Sequence, residues 1–515
     1  MVLNRMFRKK KRSEVKAPEE NFSLVIYKKL DDNLDNLRKM LDNPNDLIIR
    51  EFTLGSTNHR CAIAYIAGLI DKELVHNNIM KNMQLKVQDK ELPTDTTKLL
   101  DDIYNEIISV TNINKGTTLD DISHAILSGS TVLFLDGIDT VLVMATIGWE
   151  SRSIEEPVSE SLIRGSREGF VENIQTNTVL IRRYIRDPNL RLKEYQIGRR
   201  SKKKLVVAYV DGVINPAIVK EVNRRLETID IDDAPESGFI EQWIEDSFLS
   251  PFPQMINTER PDKSATALLK GKFVILLDGT PFSLIAPSTL GNMLHSPEDY
   301  YERWSIGTLL RLLRYLASFI AMFLPSLYIA LTSYHQGMIP SDLAFSIAAT
   351  REGVPFPAFI EALAMGITME LLREAGARLP TTIGQTIGIV GGLVIGEAAV
   401  QAGVVSPIMV IAVALTAIAS FTLPSYSVAI SFRMLRFAFM IAAAILGLYG
   451  IILVYIMINI HIVNLKSFGV PYSTPFAPSF INDWKDLVLR APIPMLTKRP
   501  EYMQTSDEKS ADKGE

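Results

Sequence analysis

The sequence predicts a multidomain protein in which an N-terminal cytoplasmic α/β region of two related subdomains precedes an α-helical transmembrane domain of about five helices. Mean hydropathy is +0.14 although 22% of the residues are charged, which fits a charged part joined to a very apolar part. The stretch from Tyr315 to Val463 contains no lysine. Two sequence patterns in the N-terminal half recur at nearly the same spacing.

The chain divides into six segments by composition. The basic start lacks the apolar stretch of a signal peptide, so we expect the N-terminal region to remain in the cytoplasm. Apolar residues at helical spacing predict an amphipathic helix over Asn21–Leu41. The predicted segments are a basic N-terminus with this helix (1–44), α/β subdomain 1 (45–150), a charged connector (151–177), α/β subdomain 2 (178–300), a helical transmembrane domain (301–465) and a Pro/aromatic tail with a disordered C-terminus (466–515).

The duplication rests on two pairs of motifs. IAYIAGLI at 63–70 matches VAYVDGVI at 207–214, and two strand–Asp-Gly–strand patterns place Asp136 opposite Asp278. Asp-Gly between apolar runs is typical of a hairpin. The two offsets are nearly equal, which indicates two related α/β subdomains.

Composition excludes several functional classes. A net charge of -4 and a pI of about 6.0 do not suit a nucleic-acid binder. The single cysteine, Cys61, predicts neither a disulfide framework nor a thiolate metal site, and its apolar strand favours a small buried hydrophobe. The sequence lacks G-x-G-x-x-G, Walker A and H-E-x-x-H motifs, so we expect no catalytic residues, no metal, no cofactor and no enzyme activity.

The apolar half contains runs of the length that crosses a bilayer. There are five such runs, and one of them, Phe356–Leu372, carries Glu361 and Glu370. Kinks are expected at Pro325 and Pro424, which lie inside apolar runs. If all five runs cross, the tail lies outside; if Phe356–Leu372 dips in without crossing, the tail returns inside. The four uncharged or nearly uncharged runs are Leu316–Ser333, Ile383–Val405, Ile408–Ile430 and Phe437–Val463.

The run from Ile383 has two distinct faces when placed on a helix. One face is predicted to line a pore, with valines as an apolar gate and a carboxylate and an amide as a polar vestibule. A carboxylate in a membrane span is costly and normally faces protein or water. The alternative is a packing helix whose Glu397 bonds a neighbouring hydroxyl. The pore face carries Val390, Val394, Glu397 and Gln401, and the packing face carries Gly384, Gly388, Gly391 and Gly392.

The connector is dense in charge. Arg164, Arg167 and Glu168 surround Gly165 and Gly169. This pattern suits either a solvated linker or a contact surface for a neighbouring subunit or lipid headgroups. Within the apolar half, Glu361 is a further interface candidate, either buried or facing a pore.

Four segments resemble the A subunits of bacterial spore germinant receptors, the GerA family, which includes the related SpoVAF protein. One departure is Ser166, where the family commonly has proline. The segments are IRGSREGF (163–170), REGVPFPAFIEAL (351–363), REAGARLPTTIGQTIGIVGGLVIGEAAVQAGVVSP (373–407) and SFGVPYSTP (467–475).

This resemblance implies a multi-pass protein of the spore inner membrane. It implies a permease-like B subunit that binds the germinant and a lipoprotein C subunit as partners. It also implies a homo-oligomeric ring, a pentamer, acting as a germinant-gated cation channel that initiates germination. The stripe from Val390 to Gln401 falls in the family's proposed pore helix.

Two other functions stay open at this point. A scaffold or signal-transducing subunit without a pore would use the stripe only for folding. A secondary transporter is disfavoured, because such proteins often carry inverted repeats in their spans, whereas the repeat here lies in the charged half.

Overall fold

The computed structural model describes residues 25–55, 59–86, 96–148, 156–157, 159–378 and 394–511. Two five-stranded sheets form the N-terminal half, and a small two-stranded sheet begins the tail. The strands are β1 (Leu47–Thr53), β2 (Arg60–Ile66), β3 (Ile113–Gly116), β4 (Thr131–Leu135), β5 (Val141–Met144), β6 (Leu190–Ile197), β7 (Lys203–Val210), β8 (Ile256–Thr258), β9 (Phe273–Leu277), β10 (Ser283–Ala286), β11 (Lys466–Ser467) and β12 (Val470–Pro471).

Helices cover both sheets and make up the apolar half. The α-helices are α1 (Leu30–Leu41), α2 (Lys72–Leu74), α3 (Thr96–Asp102), α4 (Leu119–Leu127), α5 (Ile174–Tyr184), α6 (Pro216–Leu226), α7 (Ser237–Ile244), α8 (Pro261–Leu269), α9 (Leu290–Met293), α10 (Glu298–Tyr301), α11 (Trp304–Ser333), α12 (Ser341–Arg351), α13 (Ala358–Arg378), α14 (394–401), α15 (Pro407–Phe421), α16 (Tyr426–Asn464) and α17 (Trp484–Leu487). Three π-helical stretches, Val75–Met80, Asn82–Lys86 and Ile103–Ile107, extend α2 and α3.

The two large sheets have the same topology. The first runs in the order β1-β2-β4-β5-β3 and the second in the order β6-β7-β9-β10-β8, with antiparallel pairing throughout. The central strands pair in matching registers, Ile63 with Leu133 and Val207 with Ile275. The α/β region is therefore built from two copies of one antiparallel unit.

The duplication extends to the turn aspartates. Asp136 accepts a hydrogen bond from the backbone N–H of Leu30 at 2.9 Å, and Asp278 accepts one from the N–H of Ile174 at 3.3 Å. In each half the Asp-Gly turn thus satisfies the first backbone donor of a helix, which would otherwise lack a partner. These aspartates serve the fold, as their place beside glycine suggested.

An asparagine in each of these helices repeats the same contact. Asn33 bonds both backbone groups of Tyr27, at 2.7 and 2.6 Å, and Asn177 bonds both groups of Val171, at 2.8 and 2.5 Å. Each buried amide therefore fixes the chain that enters its helix.

The N-terminal helix is shorter than predicted. It begins at Leu30, and residues 25–29 lie outside it, with Val25 bridging Thr118. The cause is the Asp136 cap, which a pattern of apolar spacing does not reveal. Residues 1–24 lie outside the described part of the chain.

Both faces of each sheet are covered. In the first half, α1 and α4 pack on one face and the helices of residues 72–107 on the other. In the second half, α6 and α7 cover one face and α5 and α8 the other. Cys61 is buried in the core of the first half, and burial raises the pKa of its thiol to about 12.

The apolar half is helical as predicted, but the described residues do not confirm about five spans. Two described helices, α11 and α16, are long and apolar enough to cross a membrane, and α15 is a shorter apolar helix. The run Ile408–Ile430 is not one helix, because α15 ends at Phe421 and α16 starts at Tyr426. Pro424 lies in this break. Residues 383–393 of the run Ile383–Val405 are outside the described residues.

Helix α16 folds back on itself. Gly447 has φ 60° and ψ -140°, a conformation outside the helical region. Phe323 contacts Phe439 and Tyr455, at ring-centroid distances of 4.7 and 6.0 Å, although these residues lie on opposite sides of Gly447 in the chain. Residues 426–446 and 448–464 are therefore two antiparallel arms. The predicted single run Phe437–Val463 is wrong for this reason.

The fold-back brings both ends of α16 to the α/β region. Ser431 donates to the carbonyl of Pro251, and the ring of His461 lies 2.9 Å from the hydroxyl of Ser250. We call this end of the helical bundle the proximal end and the Gly447 turn the distal end.

The C-terminal tail, described over residues 466–511, returns to subdomain 2. Ser467 donates to the carbonyl of Gln254 at 2.7 Å, and the N–H of Leu290 donates to the carbonyl of Tyr472 at 3.1 Å. The tail thus lies on the same side of the bundle as the α/β region, in contrast to the outside position expected from five crossings. Residues 504–511, expected to be disordered, are also placed, with Ser506 bonded to the carbonyl of Ile214.

Candidate functional site in the helical region

Helix α14 presents a polar stripe. Val394 is 54% exposed, and Glu397 and Gln401 are exposed on the same face, because they lie three and seven residues further along the helix. The Gln401 amide donates to Glu397 at 3.1 Å. Val390 and the predicted packing glycines Gly384, Gly388, Gly391 and Gly392 lie outside the described residues.

The other side of α14 packs inside the bundle. A Cβ added to Gly396 would lie 3.6 Å from the Val410 side chain of α15, and Ala399 joins the same apolar cluster. One face of α14 is therefore in contact with the protein and the other is free in a single chain.

Glu361 is buried next to the turn that follows α14. Its side chain is 0% exposed, lies 3.0 Å from the Arg351 guanidinium and accepts the backbone N–H of Ser406 at 2.9 Å. Ser406 in turn caps the start of α15 through Met409. The carboxylate therefore joins α12, α13 and the α14–α15 turn near the distal end.

A second charged cluster lies near the proximal end. Glu370 contacts Arg373 at 3.0 Å, as their spacing predicted, and also Arg433 at 3.2 Å and Arg436 at 2.8 Å. The two arginines of α16 were not linked to Glu370 by the sequence, because no local spacing connects them. One carboxylate thus ties α13 to the first arm of α16.

The positions of these two clusters show which end of α14 is the distal one. Glu361 lies at the start of α13 beside Ser406, whereas Arg373 bonds Ser420 at the end of α15. Gln401 is five residues before Ser406 in the chain, so the Glu397–Gln401 end of the stripe is distal.

The connector is partly anchored. Glu168 pairs with Arg183 at 3.0 Å, and the carbonyl of Ser166 accepts from the buried Arg260 at 2.8 Å. Arg164 remains 67% exposed, with Glu302 4.0 Å away, and Arg167 is exposed. The arginines, unlike Glu168, are available to a partner.

A buried charge cluster joins the α/β region to the bundle. Asp299 is 0% exposed and accepts from Arg311 at 3.0 Å and from Arg314 at 2.8 Å. Burial alone would raise the pKa of Asp299, but hydrogen bonds and charge from the two arginines outweigh it and hold that pKa below its usual range. Arginines just before an apolar run are typical of a cytoplasmic flank, but Arg311 and Arg314 also have a structural role here.

No group of three or more His, Cys, Asp or Glu side chains within the described ranges is placed to hold a metal ion. What the geometry supplies instead is a helical bundle braced by buried ion pairs, with one polar helix face uncovered.

The described residues thus define a class of protein in which a duplicated α/β region is joined to apolar helices, and comparison with known proteins gives the family. Residues 35–502 match the family model described as Bacillus/Clostridium GerA spore germination protein. Spore germination protein GerLA of Bacillus cereus is 53% identical over 92% of this chain and 95% of its own length. The uncharacterized membrane protein YfkQ of Bacillus subtilis is 42% identical over 96% of each chain.

The chain belongs to the GerA family. A solved structure, the N-terminal domain of the A subunit of the Bacillus megaterium spore germinant receptor GerK3, is 33% identical and covers 52% of this chain and 97% of that chain, with a TM-score of 0.41.

Proposed function

We propose that this protein is the A subunit of a spore germinant receptor and that copies of it surround a cation pathway lined by α14 in the spore inner membrane. The observation that carries the proposal is the uncovered stripe of Val394, Glu397 and Gln401, opposite a packed face. A carboxylate on an apolar bundle is costly unless it faces water or a partner. A ring of copies provides both.

In such a ring the stripe supplies two functions. Repeated Glu397 carboxylates attract cations, and a ring of Val394 side chains forms an apolar constriction that closes by dewetting. Gln401 holds Glu397 through its amide. Val390 would add a second apolar ring.

The partners proposed are those of the family resemblance. A permease-like B subunit binds the germinant, a lipoprotein C subunit completes the receptor, and the A subunit is a homo-oligomer, a pentamer, whose N-terminal region is cytoplasmic. The exposed Arg164 and Arg167 are available for contacts between subunits. Germinant binding opens the pathway by favouring one of two packings of the ring, which requires different affinities for the two states.

The test is potassium release from spores that carry Val394→Ala, measured without germinant. We expect spontaneous release, because a smaller side chain widens and wets the constriction. Val400→Ala is the matched control, since Val400 lies on the same helix but is half-buried away from the stripe. The control should stay dormant.

Unchanged release in Val394→Ala, at wild-type protein levels, would contradict the channel. It would favour a non-conducting scaffold or signal-transducing subunit, for which the rigid Asp299 junction is a suitable feature, because it couples the α/β region to the bundle.

A further inference from the structure

A cavity of about 1030 Å³ lies between subdomain 2 and the C-terminal tail. Its walls come from α8, the turn before β9, α10 and the residues of the tail from Pro475 onward. The volume is at the upper end of the range of small-molecule sites. The cavity lies in the α/β region and includes none of the residues of the α14 stripe.

The turn before β9 differs chemically from its repeat counterpart. Subdomain 1 has Ser128-Gly129-Ser130 before β4, where subdomain 2 has Lys270-Gly271-Lys272 before β9. The two glycines have nearly equal φ angles, 93° and 82°. The turn therefore forms without lysine, so its geometry does not explain the two lysines of the second copy.

The tail closes over this turn. A Cβ added to Gly271 would lie 2.3 Å from the Thr505 methyl group, and the N–H of Ser506 donates to the carbonyl of Val213 at 3.0 Å. Both lysines line the cavity that the tail encloses.

Lys272 has no ionic partner in the described part of the chain. It is 5% exposed and donates to the amide oxygen of Asn292 at 2.7 Å, which leaves two of its three donors. Burial, with the charges of Lys270 and Lys263, lowers the pKa of Lys272 to about 7. An unpaired buried ammonium group is costly, and an anion beside it would remove that cost.

Of the other cations that line the cavity, Lys485 and Lys498 are exposed at its edge, and the remaining lysines and arginine are paired. Lys270 pairs with Asp486 at 3.2 Å, and Lys263 pairs with Glu160 at 2.7 Å. Burial and Arg311 lower the pKa of His295 to about 3, so this ring is neutral. Lys272 is thus the cation available to a ligand in the interior of the cavity.

We propose that this cavity binds a small organic anion, with a carboxylate or phosphate group on Lys272 and an apolar body against the surrounding side chains. The side-chain NH2 of Asn292 is a further donor, and Ile256, Ile285 and Phe480 supply apolar contacts. Since the tail forms one wall, ligand binding stabilises the docked tail and, through Asp486 and Arg311, the junction with α11.

The experiment is calorimetric titration of the full chain in detergent at pH 6.5 with phenyl phosphate and with benzoate. Inorganic phosphate tests the anion alone, and benzamide tests the apolar body alone. We expect phenyl phosphate or benzoate to bind the wild-type protein. The same ligand should bind Lys272→Met at least about tenfold more weakly than wild type, because a charge-assisted hydrogen bond is lost. Lys220→Met, an exposed lysine on α6, is the control and should bind like the wild type.

Lys272→Arg keeps the charge and should restore most of the affinity, which separates loss of the charge from loss of the fold. Equal affinity of Lys272→Met and wild type, or no binding of any anion by folded wild-type protein, would overturn the proposal. Binding of inorganic phosphate alone would show an adventitious ion only. Channel activity is a separate readout, so failure here leaves the function of α14 untouched.

Discussion

At the scale of single residues, buried charge is what organises this molecule. Asp299, Glu361 and Glu370 each hold arginines from other elements. A buried carboxylate with two arginines is strongly bound by its neighbours, and removal of one partner leaves uncompensated charge. Such clusters therefore mark the places where two helices are held in a fixed position relative to each other.

Asp299→Asn should destabilise the junction by about 3–5 kcal/mol, because Arg311 and Arg314 would remain buried without their counter-charge. Thermal unfolding of the full chain in detergent measures this. Asp230→Asn is the control, since the Arg199–Asp230 pair is 64% and 61% exposed and should contribute little. Equal shifts in the two variants would contradict a structural role for Asp299.

At the scale of elements, one glycine decides the path of the last apolar run. The 39 residues of α16 would extend roughly 60 Å if straight, which is twice the thickness of a bilayer core. Gly447 divides them into two arms by a backbone conformation that other residues rarely adopt. Nearby, Gly450 packs against the backbone of Ala442, where a Cβ would lie 2.2 Å from the carbonyl oxygen.

Gly447→Ala should destabilise the folded-back helix by roughly 1–3 kcal/mol from backbone strain alone, with a further cost because the new Cβ would lie 2.7 Å from the His335 ring. Gly353→Ala is the control, since a Cβ there meets nothing within 4 Å. Thermal unfolding in detergent should shift for Gly447→Ala and stay near wild type for Gly353→Ala. A Gly447→Ala protein as stable as the control would mean that α16 does not need the turn.

At the scale of the whole molecule, the two ends of the helical region meet the same subdomain. The chain enters the bundle at α11 and leaves it at the end of α16, and the tail then packs on subdomain 2. In a bundle that crosses a membrane as we propose, the tail and the α/β region lie on one side and the α11–α12 turn on the other.

Thiol labelling of oriented membrane vesicles tests this arrangement. Ile493→Cys in the tail and Met338→Cys at the distal end start from nearly equal exposure, 65% each. We expect Ile493→Cys to label from the same side as Phe248→Cys in subdomain 2, and Met338→Cys from the opposite side. The native Cys61 is buried and should not interfere.

Labelling of Ile493→Cys and Met338→Cys from the same side would contradict the fold-back at Gly447. It would restore the five-crossing arrangement, in which the tail lies opposite the α/β region.

Some of this organisation was predictable because it is local in the chain. The repeat, the Glu370–Arg373 and Glu374–Arg378 pairs and the polar stripe of α14 follow from periodicity and short spacing. The links from Glu370 to Arg433 and Arg436 join residues more than 60 positions apart and could not be inferred that way.

The α/β and helical halves and the duplication can be read from the sequence, because hydropathy and periodicity act over a few residues. The side on which the tail lies and the lack of an ionic partner for Lys272 become visible only in the folded chain. Both depend on contacts between segments that are distant in the chain. A glycine such as Gly447 allows a turn but does not require one. Whether a lysine lacks an ionic partner can be judged only when the positions of its neighbours are known. The packing of the two α16 arms and the docking of the tail supply that information.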